Sequence, residues 1–445
     1  MKGDLAKGPV VKTMLIFALP MILGNLLQQC YNIADTLIVG RFLGAEALAA
    51  VGSSFTLMTF ITSVFLGLCM GSGAVFSMRF GQKDEKGLKE SIAASFILIT
   101  FVTIVLNILA VVCLDWILVF LRVPESIQGL MRDYLSVIFY GLIATFIYNF
   151  FASLLRALGN SASPLVFLAV SAVLNIGLDL WFVLGLNRGV SGAAEATVIS
   201  QYISGIGIAV YTWVKYPGLR IGRGVLQIRP ACIKEIAGYS FLTCMQQSVM
   251  NLGILLVQGI VNSFGTTVMA AFAAAVKIDS FAYMPVQDFG NAFSTFIAQN
   301  YGANKEKRIR SGIRGAVLCV LVFCAVISIL ICIFARPLML VFVSEGETAI
   351  IAEGVRYLRI EGAFYCGIGC LFLLYGLFRA TGKPGMSLIL TIISLGTRVA
   401  LAYGLSGLFG VSGIWWSVPV GWLLADAAGI IYYKVHTIQK KKAAG

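Results

Sequence analysis

Residues 14–40, MLIFALPMILGNLLQQCYNIADTLIVG, decide the fold class. They form a continuous apolar run, and a hydrocarbon layer about 30 Å thick needs roughly 20 residues of helix to cross it. The preceding MKGDLAKGPVVK (1–12) is basic, and no small-residue cleavage site closes the run. A signal peptide would carry an apolar stretch of roughly 7–15 residues, so this reads as a retained first span. Breaks at charge clusters and Gly/Pro turns then give eleven more runs, at 48–78, 91–121, 131–155, 163–186, 191–214, 236–262, 268–300, 312–343, 352–378, 385–408 and 412–434. Barrel strands would be about ten residues of alternating pattern, and these runs are longer and continuous. The sequence predicts an all-α integral membrane protein, with twelve transmembrane helices in two pseudo-symmetric six-helix bundles.

Composition points the same way. Of 445 residues, 59% are hydrophobic and only 12% charged, about half the charged fraction of a soluble globular chain. Disordered, collagen-like and disulfide-scaffold classes are excluded by the same figures. Most of the ten cysteines lie inside apolar runs, as small hydrophobes. The one histidine, His436, stands in the tail beside Lys440, Lys441 and Lys442. A single histidine removes Ser-His-Asp, Cys-His and His-ligated zinc chemistry, and no nucleophile–base pair or phosphate loop suggests an enzyme.

Orientation follows from Lys and Arg, which favour the cytoplasmic side. With both termini inside, cytoplasmic segments hold 24 of the 33 basic residues. Outer loops hold seven (Arg41, Arg122, Arg132, Arg188, Arg336, Arg356 and Arg359), and Lys277 and Arg398 lie within spans. The net charge of +13 is therefore a topology signal rather than a mark of nucleic-acid binding. The expected organisation is an N-lobe at 1–214, a cytoplasmic linker at 215–235, a C-lobe at 236–434 and a basic cytoplasmic tail at 435–445.

The two halves repeat each other. FLGAEALAA (42–50) matches SFGTTVMAA (263–271), and FGQKDEK (80–86) matches YGANKEK (301–307), both at a shift of 221. LRALGN (155–160) matches FRATGK (378–383) at 223, and GVSG (189–192) recurs at 410–413. Six spans per half is an even number, so both halves enter the membrane in the same direction. Parallel repeats of this kind are expected in alternating-access transporters, with substrate held between the halves.

Ionisable groups inside a bilayer need a reason, since each costs about 2.5–3.5 kcal/mol at the centre of a span. Asp35 lies in span 1, Asp179 in span 5 and Glu195 in span 6, and Asn175 shares a helix face with Asp179. Counting from the outer span ends at 1.5 Å per residue puts Asp35, Asp179 and Thr197 at one level, roughly 8–10 Å deep. Three helices thus present oxygens at one level, a candidate cation site. Two carboxylates in such a medium cannot both stay charged, so one holds a proton or Na⁺ neutralises the pair. A polar cluster that merely ties helices together would look the same in sequence. The second half lacks the set, with Leu256 opposite Asp35 and Ala400 or Ala402 opposite Asp179. It has instead Lys277, Asp279 and Asp288 in span 8 and Arg398 in span 11, read either as an internal ion pair or as groups touching substrate. Asp115, Glu361 and Asp426 lie near span ends, where snorkelling explains them. Pro20, inside span 1, is a candidate bend coupled to Asp35. Gly67, Gly71 and Gly73 in span 2 permit close helix contact.

These features resemble the multidrug and toxic compound extrusion (MATE) family. The resemblance rests on ALPMILGNLLQQCYNIADTLIVGRFLGAEALAAVG (18–52), on QNYGA (299–303) and on the two six-span lobes. It implies a V-shaped pair of bundles exporting small amphipathic, often cationic compounds in exchange for H⁺ or Na⁺, with no other cofactor and no further metal. By resemblance, Asp35 looks like the ion-coupling aspartate and Asn175, Asp179 and Thr197 like its partners. Asn149 looks like an auxiliary polar residue, and Pro20 like the kink proline. Another branch places acids in spans 7 and 10; span 7 here offers Gln246 and Gln247, so the chain looks more like the DinF-type branch. The expectation is a monomeric multidrug antiporter of a bacterial cytoplasmic membrane. A lipid-linked oligosaccharide flippase of the same superfamily is an alternative, and a channel or non-transporting membrane receptor is one of another class.

Overall fold

The computed structural model describes residues 4–120, 123–220 and 229–443, apart from the side chains of 45, 56, 120 and 436–443. Arg122, Arg223, part of the linker and the side chains of His436 and the lysine run therefore lie outside the described residues. The rest is helical, with no strand among the described residues. The first half comprises α1 (Val10–Phe42), α2 (Ala45–Gln82), α3 (Glu85–Val112), a short α4 (Leu114–Phe120), α5 (Glu125–Tyr140), α6 (Leu142–Ala157), α7 (Ala162–Asp179) and α8 (Gly189–Lys215). The second comprises α9 (Pro230–Asn262), α10 (Thr266–Gly302), α11 (Glu306–Leu340), α12 (Thr348–Gly362), α13 (Tyr365–Ala380), α14 (Pro384–Phe409) and α15 (Val411–Ala443).

Ten helices are long and apolar enough to cross a bilayer, and two bent pairs bring the number to twelve. Their apolar side chains face outward along whole helices, as Leu318, Val322, Val326, Ile329 and Ile333 do on α11. Lipid is the solvent for such a surface. Three boundaries differ from the sequence reading. The third span stops at Val112 and resumes as α4; α9 begins within the expected linker, at Pro230; and α15 continues through the expected tail to Ala443. Helices this long outrun the hydrocarbon, since 33 residues at 1.5 Å extend about 50 Å.

The duplication is written in the backbone. Left-handed conformations occur in pairs at Gly44 and Gly265, Lys83 and Asn304, Gly159 and Gly382, and Gly189 and Gly410. The separations are those of the sequence repeats. The fourth and tenth spans are each broken, α5 to α6 by 44° and α12 to α13 by 51°. A break inside a membrane frees carbonyls that lipid cannot satisfy. At the first break Asn107 Nδ2 donates to the Phe139 carbonyl at 2.5 Å and the Tyr202 hydroxyl to the Tyr140 carbonyl at 2.9 Å.

The described chain packs as two compact units, one holding Asp4–Leu5 with Leu19–Cys244 and the other Ala6–Ala18 with the residues from Met245 onward. Two helices therefore begin in one unit and finish in the other: α1 changes unit between Ala18 and Leu19, beside Pro20, and α9 between Cys244 and Met245. Close packing explains how the start of α9 is held in the first unit. A Cβ on Gly67 would lie 2.5 Å from the Cys244 Cα, and one on Gly71 2.4 Å from the Tyr239 carbonyl. Ser72 and Ser240 hydroxyls meet at 2.9 Å. Gly73 makes room for Ser153 of α6. At the foot of α9, Arg229 pairs with buried Glu90 at 2.8 Å and Glu235 with Arg79 at 2.6 Å. The segment before α1 is held in the second unit by main-chain bonds. Lys305 Nζ donates to the Ala6 carbonyl at 2.7 Å, and Arg308 to those of Gly8 and Lys7 at 2.6 Å each.

Candidate functional site

Asp35, Asn175, Asp179 and Thr197 come together in the first unit. Asp35 projects from α1, and Asp179, fully buried, is the last residue of α7. The two carboxyl groups lie within hydrogen-bonding reach of each other. One turn before Asp179, Asn175 donates from Nδ2 to Thr197 Oγ1 on α8 at 3.2 Å, and the threonine donates to the Ala193 carbonyl at 3.1 Å. Asp35 Oδ1, both Asp179 oxygens and Asn175 Oδ1 are buried and receive no hydrogen bond from any described donor. Four acceptor oxygens on these three residues are thus buried without a donor among the described residues. Like charges this close cannot both be ionised without a cation, and a buried carboxylate left unserved costs several kcal/mol. A shared proton or a hard monovalent cation meets that demand.

The helix changes form at this point. After Asp179 the chain winds as a π-helical turn, Leu180–Gly185, and such turns arise where an extra residue enters an α-helix. The repeat shift falls from 223 before this turn to 221 after it. The first half therefore carries two additional residues here, absorbed by the turn and the short connection to α8. In the second half α14 runs as an ordinary helix to Phe409.

Other expected residues fall elsewhere. Asn149 gives its amide to the Thr145 carbonyl of its own helix at 2.8 Å. Glu195 pairs with Arg188 at the start of α8. Pro20 sits within an unbroken α1. An internal Lys277–Asp288 pair is ruled out by geometry. Lys277 is exposed while Asp288 is buried, and eleven residues of helix separate them by about 16 Å.

Some groups were not legible. Tyr31, one turn before Asp35, lies within electrostatic range of both carboxyls, as does Tyr134 of α5; the Tyr31–Asp35 spacing of four was the available signal. Glu361 and Asp426 do not snorkel, for they are 2% and 8% exposed. Asp115 does reach an exposed partner, Arg132, at 2.6 Å. In the second unit Asp279 accepts from the Tyr365 hydroxyl at 2.6 Å and Glu361 from that of Tyr357 at 2.9 Å. Nearby Phe272 stacks on Trp415, whose indole donates to Glu353 at 2.7 Å.

Comparison with known proteins bears on this arrangement. A family model described as MatE matches residues 20–181 and 243–432. A Bacillus subtilis (strain 168) protein described as probable multidrug resistance protein YpnP is 32% identical over 436 residues, covering 97% of this chain and 96% of its own. Probable multidrug resistance protein NorM of Thermotoga maritima is 26% identical over 411 residues, covering 91% and 88%. Among solved structures, a MOP superfamily transporter from Pyrococcus furiosus Vc1 superposes with a TM-score of 0.92 at 24% identity, over 98% of both chains. That last likeness concerns the fold alone.

Proposed function

The chain belongs to the MatE family, and from that premise we propose that it is a secondary active multidrug exporter of a bacterial cytoplasmic membrane. It is a transporter and not an enzyme. In this reading it antiports small amphipathic or cationic compounds against H⁺ or Na⁺ by alternating access, and works as a monomer. The proposal rests on one observation, the convergence of Asp35 and Asp179 with four buried oxygens lacking donors. Asn175 and Thr197 hold the third side of that site.

The mechanism follows from electrostatics. With the site empty, two adjoining carboxylates repel and α1 and α7 are driven apart; when a cation enters, they close. Pro20 supports transmission along α1, because its ring removes a backbone hydrogen bond where the helix passes between units. Closure bends α1 there, releases the bound compound outward and favours the inward state. Both termini are assigned to the cytoplasm. This is supported by the basic-residue bias and by ties that join only segments assigned to one side, 6–8 to 305–308 and 229–235 to 79–90. We place the chain in the DinF-type branch on the strength of the acids in the first half and the glutamines, not acids, in α9; buried Glu361 means that α12 offers no such argument.

Dye efflux from proteoliposomes tests this reading under an imposed pH gradient and then an imposed Na⁺ gradient. The driving gradient identifies the coupling ion. Efflux indifferent to both would refute coupled antiport.

A further inference from the structure

Helix α11 has two unlike faces. The inner one is packed: a Cβ on Gly312 would lie 2.6 Å from the Phe296 ring, and Arg308 stacks over that ring at 5.3 Å. Cys324 Sγ would stand 2.9 Å from a Cβ on Gly369 of α13. The start of α1 covers one flank, with Val11 Cγ2 2.7 Å from a Cβ on Gly315. The face opposite is open. Lys307, Arg310, Ser311 and Arg314 share it, at spacings of three and four, and all four are exposed. Leu318, Val322, Ala325 and Ile329 continue the same face and are exposed as well.

The open face divides by polarity at one turn of helix. Lys307 to Arg314 is about 10 Å of rise and Leu318 to Ile329 about 16 Å. One leaflet of a bilayer has a polar layer of roughly 5–8 Å over about 15 Å of hydrocarbon. The two parts of the face therefore match the headgroup and the acyl region of a phospholipid. The positive charge is mostly uncompensated by protein. Lys307 and Arg314 make no side-chain hydrogen bond or ion pair with any described residue, and Arg310 meets only Glu306, at 3.3 Å with both side chains exposed.

A general bias of basic residues toward one side of the membrane would give both halves such a face. At the repeat shift of 221 the first-half counterparts are Lys86, Lys89, Glu90 and Ala93 of α3. Ala93 is buried where Arg314 is exposed, and Glu90 is buried and paired with Arg229 at 2.8 Å. The basic head above an apolar stripe is thus a property of the second half.

We propose that this face of α11 binds one anionic phospholipid, its phosphate held by Arg310 and Arg314 and an acyl chain laid along Leu318, Val322 and Ile329. Two arginines four apart on a helix point the same way, and their planar donors match the oxygens of a phosphodiester. Lys307, two turns before Arg314, strengthens the field that the headgroup meets. The site belongs to the second unit and stands apart from Asp35 and Asp179 in the first, so it does not depend on which ion, if any, drives transport.

The full chain, delipidated in a neutral detergent, is titrated with phosphatidylglycerol and in parallel with phosphatidylcholine, and the bound molecules are counted by native mass spectrometry. The wild type should hold one phosphatidylglycerol roughly tenfold or more tightly than phosphatidylcholine. R310Q/R314Q should lose that preference. K86Q/K89Q, which removes as many charges from the counterpart helix, should keep it, and L318S/V322S should weaken retention of phosphatidylglycerol. Elution volume and Tm establish that each variant is folded. A preference that survives R310Q/R314Q overturns the proposal. Equal loss in K86Q/K89Q overturns it too, because a diffuse field rather than a site would then be responsible. Displacement of the lipid by an equal concentration of inorganic phosphate, or undiminished retention in L318S/V322S, shows an ion held without its chains and overturns the lipid as occupant.

Discussion

Asp35→Asn should uncouple transport without unfolding the protein. The amide preserves shape and volume while removing one of the two charges that hold the cation. At an effective dielectric of about 20, a monovalent cation roughly 4 Å from a carboxylate gains about 4 kcal/mol. Losing one such contribution weakens cation binding by about three orders of magnitude. A tenfold ion gradient supplies only about 1.4 kcal/mol, too little to refill the site. Gradient-driven dye efflux from proteoliposomes should fall to the leak rate, while yield, elution volume and Tm stay near wild type. Asp179→Asn should do the same, and the double variant should be no worse than either, because the two carboxyls act as one site. Efflux by D35N at half the wild-type rate or more, under either gradient, would refute this account of the pair.

Other expectations concern the scaffold. Asn107→Leu strips the Phe139 carbonyl of its partner at the bend between α5 and α6, which should cost about 1–3 kcal/mol and show as a lowered Tm in detergent. Gly71→Val forces a side chain onto the Tyr239 carbonyl and should destabilise by about 1–3 kcal/mol or more, whereas Gly52→Ala, with open space around it, should leave the melting curve unchanged. Arg229→Ala should lower stability more than Glu90→Gln, because it strands a buried carboxylate while the glutamine leaves none; equal losses would contradict that asymmetry. Arg308→Ala removes two bonds to the segment ahead of α1, so amide exchange at 6–9 should quicken with little change in Tm.

Much of the membrane architecture was legible because each run had only one physical solution, an apolar helix. The convergence of Asp35, Asn175, Asp179 and Thr197 was legible as well, since rise per residue is a ruler and the helices carrying them are continuous up to Asp179. Glu361 escaped because it was grouped with acids at span ends, although nine residues of helix put it about 14 Å inside its span. The structure buries it against Tyr357. The Asp279–Tyr365 bond joins residues 86 apart, and no local pattern announces such a pairing. The π-helical turn left a trace, the change of repeat shift from 223 to 221, which acquires meaning only once the backbone is known. Lys277 misled because sharing a helical face says nothing about distance along the axis.

The trading of helix beginnings has a consequence for the halves as separate pieces. The opening residues of α1 belong to the second unit and those of α9 to the first, so neither half of the chain carries the whole of its own unit. Severing the chain within 216–228 should expose that dependence: co-produced fragments would assemble, while either one made alone would be cleared as incomplete.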